Sequence, residues 1–380
     1  MQDKLKLPCE IKSGVSVLSL FDGMSCGMLA FLKLGIKPSN YYAYEIDKYA
    51  IKTTQNNFPD IKELGDVFKA DFTIYEDIDF LIGGSPCTYW SIAQKNNRET
   101  EASGLGWELF SQYIRALNEA KPKYFLYENN KSMSKAIYRS ISDTFGFEPI
   151  CINSALVSAQ NRQRLYWVGI RNKDGTYRKA DIPQPKDKCI LLKDILDGVV
   201  DRDKSRAIIG SIGRTTTREY FKKNQGQMSF ESVRVGSLPR PNGELSKSQG
   251  FRIYNIYGKS VGLKGNAGGA GGKTGLYAIP VEFDGDIPTK AVSCADNKIY
   301  IVYHVKDGLI EIKNKTYQIK LQDGYYIIRK LTVKECMRLQ TVPEWYDFST
   351  ISQTQAYKCL GNGWTVDVIA HILKGLLNTD

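Results

Sequence analysis

Along the first half of the chain, the spacing of apolar positions switches back and forth between two periods. Val15–Leu20 is an apolar run closed by Phe21-Asp22-Gly23, and Leu29, Phe31, Leu32 and Leu34 then recur at helical spacing up to Gly35. Short apolar runs bounded by turn residues read as buried strands, and recurrence at three and four positions reads as an amphipathic helix. By the same rule Tyr41–Ile46 is a second strand and Lys48–Asn57 a helix. Phe80–Ile82 is a short buried strand broken by Gly83-Gly84-Ser85-Pro86. Trp107–Ala120 sets Leu109, Phe110, Tyr113, Ile114 and Leu117 on one stripe, and Lys123–Tyr127 and Arg164–Ile170 return to strand. Strands alternating with helices predict an α/β fold, with a mostly parallel sheet and helices on both faces.

The pattern breaks near Pro183–Pro185. From there to about Tyr326 the segments are short, irregular and Gly-rich, with a glycine cluster over Gly262–Gly275. Helical signals return after Arg329. Thr332 and Glu335 have the spacing of a capping box, with Leu331 and Cys336 placed as its hydrophobic staple. Val366, Ile369, Ala370, Leu373 and Leu377 form one apolar face opened by Thr365. That last helix has no strand of its own, so it is expected to pack back on the first domain. The expected division is therefore 1–185 plus 327–380 for a discontinuous first domain, and 186–326 for a smaller, irregular second one.

Charge sharpens this division. Residues 202–273 hold 14 Lys and Arg against 4 Asp and Glu, so +10 of the chain's formal +11 lies there. A localised basic segment suits a polyanion partner, although a merely solvated face has the same composition. The 8 cysteines include no C-x-x-C pair and there are 2 histidines, which argues against a metal site and against a disulfide framework. This usage and the polar N-terminus fit a reducing, cytoplasmic setting, and no apolar run is long enough to span a bilayer.

Ligands of parallel α/β sheets bind beyond the carboxyl ends of the strands. The residues there are Phe21-Asp22-Gly23-Met24-Ser25-Cys26-Gly27, then Glu45, then Gly65-Asp66-Val67, then Ser85-Pro86-Cys87, then Glu128-Asn129-Asn130. The first loop is not G-x-G-x-x-G, which disfavours a dinucleotide. An acidic residue ending the second strand suits ribose hydroxyls, so the pair suggests an adenosyl cofactor. Cys87 follows a strand in a Gly/Pro-rich loop. A helix N-terminus beside it would favour the thiolate. Glu128 ends the neighbouring strand and is placed to act as an acid beside that nucleophile. Arg162 and Arg164 are one residue apart and suit a phosphate or a carboxylate. Read singly, each of these residues has a plain structural alternative: an inert buried thiol, a solvated carboxylate, an ordinary surface pair.

Taken together and in order, these motifs resemble the DNA cytosine-5 methyltransferases of bacteria and phages over nearly the whole chain. Phe21-Asp22-Gly23 through Gly27 is similar to that family's cofactor loop, Pro86-Cys87 through Ser91 to its catalytic loop, and Glu128-Asn129 to its Glu-Asn-Val motif. Gln160-x-Arg162-x-Arg164 is similar to its Gln-x-Arg-x-Arg motif. Arg329-Lys330-Leu331-Thr332 through Arg338-Leu339-Gln340 is similar to the motif supporting its recognition domain. Gly361-Asn362-Gly363 is similar to its C-terminal motif. There are two departures, Ser85 where many members have Pro and Asn130 where Val is commoner.

The resemblance implies a Rossmann-like methyltransferase domain using S-adenosylmethionine, with a β-containing target-recognition domain. It implies Cys87 as nucleophile toward carbon 6 of a flipped-out cytosine, with Glu128, Arg162 and Arg164 around the base. It implies Phe21, Asp22, Gly23, Ser25, Gly27, Glu45, Ile46, Asp66, Val67, Pro86, Asn362, Gly363 and Thr365 around the cofactor. No metal is implied. Ser91, Arg214, Arg218, Lys222 and Lys223 are its candidate DNA contacts. The partner implied is duplex DNA, with a restriction endonuclease as a separately acting companion and action as a monomer. Rival readings are an RNA cytosine-5 methyltransferase, disfavoured by the large basic insert, an oxidoreductase with a redox cysteine, and a catalytically inactive DNA-binding relative.

Overall fold

The structure, a computed structural model, describes residues 12–75, 77–92, 98–197, 232–246, 248–265, 270–283, 286–293 and 295–378. The chain separates into two compact units. One comprises Met1–Ser154, Arg162–Lys186 and Gln340–Asp380, and the other Ala155–Asn161 and Asp187–Leu339.

In the first unit, the buried runs read above form one sheet. Ser16–Leu20 lies between Asn40–Tyr44 and Phe80–Gly83, parallel to both. Lys62–Glu63 extends the sheet on one side, and Tyr124–Asn130 extends it in parallel on the other. Chain order along the sheet therefore reverses at Ser16–Leu20. That reversal opens a crevice at the carboxyl ends of Ser16–Leu20 and Phe80–Gly83. Gln163–Arg171 then runs antiparallel to Tyr124–Asn130 and is flanked by Ile150–Asn153 and Tyr177–Lys179.

Leu18, Leu20, Leu81, Phe125 and Tyr127 face a core shared with Phe110, Tyr113 and Leu117 of the helix Gly104–Ala120, whose period the sequence displayed. Trp90 and Trp167 are buried in the same core. The helix Lys135–Phe145 opens on the Ser134 side chain, which accepts the Ile137 N–H at 3.2 Å, and closes on Gly146. This helix is not among the elements predicted above, although Ile137, Ile141 and Phe145 recur at four. The last helix, Val366–Leu377, packs against Cys26–Lys33, and Lys33 pairs with Asp367 across that contact. The first unit is thus built from both ends of the chain.

One difference from the sequence reading matters for chemistry. The strand expected to stop at Tyr127 continues to Asn130, with Glu128, Asn129 and Asn130 paired to Tyr166, Leu165 and Arg164. A neighbouring strand supplies the hydrogen-bond ladder through residues whose side chains are polar. Backbone pairing decides strand length there, and side-chain hydropathy does not.

The second unit is also a sheet, antiparallel except where Arg252–Asn255 runs parallel to Leu276–Val281. Its order is Arg234–Ser237, Arg252–Asn255, Leu276–Val281, Gly324–Arg329, Ile299–Lys306, Leu309–Ile312 and Lys315–Gln318, with Lys290–Val292 also on Ile299–Lys306. Ile253, Leu276, Ala278, Val305, Ile310 and Ile328 form its core. Gly324–Arg329 bonds on both edges within this sheet, which carries the unit past Tyr326 to Leu339. The capping box is present: Glu335 N–H donates to Thr332 Oγ1 at 3.1 Å, and Thr332 N–H to Glu335 Oε2 at 2.8 Å. Glu335 also takes a two-pronged ion pair from Arg329, at 2.8 and 2.7 Å, with both side chains essentially unexposed.

Removing one member of a buried ion pair strands the other charge, at a cost of about 3–5 kcal/mol. Glu335→Ala is expected to destabilise the second unit by about that amount, measured by urea unfolding beside the parent chain. A loss below about 1 kcal/mol would mean that the pair is already hydrated in the folded state.

Candidate functional site

The loop after Ser16–Leu20 turns inside a few residues, and Phe21, Gly23 and Ser25 all adopt positive φ near 60°. For Phe and Ser that conformation is costly and persists only when the surroundings enforce it. Asp22 does so from below. Its carboxylate accepts from Ser19 at 2.5 Å, from Tyr41 at 2.7 Å and from Ser25. Burial nevertheless pushes the Asp22 carboxyl above its ordinary range, against these hydroxyl bonds. Glu45 holds the loop from the side. It accepts N–H groups from Gly23, Ile46 and Asp47, each at 2.8 Å. Gly27 admits no side chain, since a Cβ there would lie 2.3 Å from Ile82 and 2.7 Å from the Tyr41 hydroxyl. Asp66 caps the short turn Val67–Lys69 through Phe68 N–H at 3.0 Å. Ile46 and Phe68, just beyond neighbouring strand ends, remain 76% and 46% exposed although both are large and apolar.

Across the crevice, Cys87 is half-buried and free. Its carbonyl accepts from Trp90 and Ser91 N–H at 3.2 and 3.0 Å, so it opens a tight turn. Among the described residues the next helix along the chain starts at Gly104. Glu99 fastens this turn by accepting Trp90 Nε1–H at 3.0 Å and Gly106 N–H at 3.1 Å.

The two departures from the family pattern belong to one polar network. Ser85 Oγ lies 2.6 Å from the Tyr127 hydroxyl, and Asn129 Nδ2 donates to the Ser85 carbonyl at 3.2 Å. Asn130 Nδ2 donates to Asn129 Oδ1 at 3.1 Å, while Asn130 Oδ1 accepts from Ser132 N–H and Oγ–H at 2.9 and 2.6 Å. Ser132 O in turn accepts from Arg98 at 2.8 Å. Ser85 and Asn130 thus hydrogen-bond where Pro and Val could not.

Glu128 lies between these parts. Its Oε1 is 3.0 Å from Arg164 Nε, and its Oε2 accepts Trp364 Nε1–H at 3.0 Å. Gly84 lies against it so closely that a Cβ there would be 2.7 Å from Glu128 O and 2.9 Å from Oε2. The two arginines read as a pair divide. Arg164 meets Glu128, whereas buried Arg162 donates to the carbonyls of Gly361 and Gly363 at 3.2 and 3.1 Å. Thr365 is buried, its hydroxyl 2.8 Å from both Ser154 Oγ and Gln340 Oε1. Asn362 and Pro86 are exposed.

Phe21 through Gly27, Glu45, Ile46, Asp66, Val67, Pro86, Cys87 and Glu128 thus lie along one edge of the sheet, as the strand-end rule required. Ser91 follows Cys87 in its turn. Arg214, Arg218, Lys222 and Lys223 lie outside the described residues. Trp364 and Phe68 were missed by the sequence reading. Trp364 carried one usable signal, a tryptophan directly following Gly361-Asn362-Gly363. Among the described residues no cluster of metal-ligating side chains occurs, and no helix is long and apolar enough to cross a membrane.

Residues 15–378 match the family described as C-5 cytosine-specific DNA methylase. The orphan methyltransferase M.SPRI of Bacillus phage SPR is 26% identical, the match covering 96% of this chain and 97% of that protein. The type II methyltransferase M1.ScrFI of Lactococcus lactis subsp. cremoris is 28% identical, covering 95% and 77%. Among solved structures, a mutant of Spodoptera frugiperda DNMT2 superposes with a TM-score of 0.58 at 17% identity, covering 96% of this chain and 100% of that one, a likeness of fold.

One carboxyl near the site is unaccounted for by hydrogen bonds. Both oxygens of Glu63 are buried without a partner, and burial, with the charges of Asp22 and Glu45, pushes it up from 4.5 to about 8. Folding therefore tightens its hold on a proton. Its contribution to stability is complete below about pH 4.5 and is lost as pH rises to about 8. Glu63→Gln is expected to flatten that fall, so that melting temperatures of variant and parent diverge between about pH 5 and pH 9 in the variant's favour. Parallel melting curves across that range would show Glu63 to be ionised throughout.

Proposed function

The chain belongs to the C-5 cytosine-specific DNA methylase family and methylates carbon 5 of cytosine in DNA, and on that premise we propose how its own residues do so. The observation that carries the reading is Glu128, a mostly buried carboxylate held between Arg164 and Trp364 and touching the loop that presents Cys87.

Carbon 5 of cytosine is a weak nucleophile. Cys87 adds as thiolate to carbon 6, forming a C–S bond and leaving carbon 5 electron-rich as part of an enamine. As the C–S bond forms, N3 takes up a proton, and the Glu128 carboxylate accepts from that N3–H and from the exocyclic amine, so the electron pair displaced into the ring is held as a neutral enamine. Arg164 orients Glu128, and Arg162 supports the site through the C-terminal turn. After transfer, the carbon 5 proton passes to water, which restores the ring double bond and expels the Cys87 thiolate, and the N3 proton returns to solvent. The target atom is out of reach inside a duplex, so the nucleotide is flipped out at a cost of a few kcal/mol.

The methyl donor is S-adenosylmethionine, which when bound supplies an electrophilic methyl group on a sulfonium. The residues present suit it. Glu45 oxygens keep acceptor capacity for ribose hydroxyls beyond the N–H groups they already take. The Phe21–Ser25 loop and Gly27 let backbone approach the ligand, and exposed Ile46 and Phe68 offer apolar faces for a flat base. Asp66, Val67, Pro86, Asn362 and Gly363 complete the surround, with Thr365 supporting it from beneath.

The second unit, with residues 186–326 as its main part, reads the duplex. Lys and Arg there, Arg214, Arg218, Lys222 and Lys223 included, meet phosphates and make affinity salt-dependent. The enzyme acts as a monomer on duplex DNA in the cytoplasm, and a restriction endonuclease acts separately where one is present.

The purified protein, given tritiated S-adenosylmethionine and mixed-sequence duplex DNA, is expected to label carbon 5 of cytosine in a fixed context mapped by bisulfite sequencing. Cys87→Ala is expected to lose all labelling. A duplex carrying 5-fluorocytosine in that context should trap the parent covalently, because fluorine cannot leave as a proton does, and should not trap the variant. Label on tRNA with none on duplex DNA would assign the second unit to RNA.

A further inference from the structure

The turn Gly361–Thr365 is fastened more heavily than a connection between two helices requires. Gly361 and Gly363 carbonyls accept from Arg162, and Gly363 O also accepts from Gln340 Nε2 at 3.1 Å. Thr365 is bonded to Ser154 and Gln340. The Trp364 backbone hydrogen-bonds the Cys26 sulfur, and a Cβ on Gly363 would lie 3.2 Å from that sulfur and 3.5 Å from Met24 Sδ. The turn is therefore seated directly on the start of the Cys26–Lys33 helix that follows the cofactor loop.

What this seating holds in place is one side chain. Trp90 and Trp167 are fully buried core residues, their N–H groups satisfied by Glu99 and Ser142. Trp364 is only half-buried, and its N–H reaches the carboxylate of Glu128. A carboxylate held at one oxygen swings readily, because rotation about its last bond is broad and twofold. Arg164 on Oε1 alone leaves that freedom, and a second donor on Oε2 removes it. Both donors are incapable of accepting a proton, and each oxygen keeps a further acceptor position for a substrate.

We propose that Trp364 is a positioning residue for methyl transfer, its indole N–H fixing the Glu128 carboxylate opposite Arg164 in the orientation that the cytosine edge requires. This rests on the reading of Glu128 given above. It assigns the turn beside the cofactor loop a second task, that of setting the group that meets the base.

The test is a double-mutant cycle on the full chain, using Trp364→Phe, Glu128→Gln and both together, with single-turnover methylation of duplex DNA as the rate. Trp364→Phe keeps a ring and loses the N–H. It is expected to slow the chemical step about tenfold to a hundredfold, the range for losing a hydrogen bond to a charged group. KM for S-adenosylmethionine and for DNA should change less than about threefold. In the Glu128→Gln background the same substitution should have almost no further effect, because residues acting as one unit are not additive. Trp364→His, which retains a ring N–H, should recover part of the rate, and it carries the same cycle if Trp364→Phe does not fold. Additive losses, or a rise in KM with kcat unchanged, would make Trp364 a packing residue and overturn the proposal. A Glu128→Gln rate equal to the parent's would instead overturn the role given to Glu128 itself.

Discussion

Glu128 is a mostly buried charge, and a buried charge is tolerated only where it is paired and hydrogen-bonded. Satisfying it recruits distant stretches of chain. Arg164 comes from the antiparallel strand, diagonal to Glu128 across the ladder, and Trp364 lies 236 residues along the sequence. Gly84 leaves no room for a side chain because the Glu128 backbone carbonyl, with the carboxylate beside it, fills that space. The antiparallel partner strand and the C-terminal turn each bring one donor to this group.

The opposite side of the crevice follows a different rule. There the backbone is bent into conformations that Phe21 and Ser25 would not adopt alone. Two carboxylates compensate, Asp22 tying the loop down to Ser19 and Tyr41, and Glu45 tying it across to the second strand. Burial raises both carboxyls, so the loop's rigidity is obtained at some electrostatic cost.

The second unit has a smaller core and relies more on buried polar staples. Arg329 and Glu335 form one. Lys259 forms another, its amine donating to the carbonyls of Ala155, Ser158 and Ile190 at 2.8, 3.1 and 2.5 Å. Gln160 accepts Leu263 N–H at 2.8 Å and donates to Leu339 O at 3.3 Å. Each bond crosses between segments that carry little apolar periodicity. Chain that lacks a continuous hydrophobic stripe is fixed here by buried polar contacts.

The elements with strong periodicity were legible at once. The strands Ser16–Leu20 and Phe80–Gly83, the capped helix after Thr332 and the last helix stand where their apolar residues put them, because burial of one face is a local property of sequence. Cys87 and the Phe21–Gly27 loop stand at strand ends, which collect on one edge of a parallel sheet, whereas Glu128 lies within the strand Tyr124–Asn130, whose polar end its apolar pattern does not mark. What the sequence could not decide was partnership. Arg162 and Arg164 look equivalent one residue apart, yet one serves a turn and the other a carboxylate. Ser85 and Asn130 look like mere departures until Tyr127, Asn129 and Ser132 surround them. Trp364 carries no periodicity that points to Glu128. Such pairings depend on which side chains the fold brings within about 3 Å, the reach of a hydrogen bond, and only the tertiary structure sets that distance.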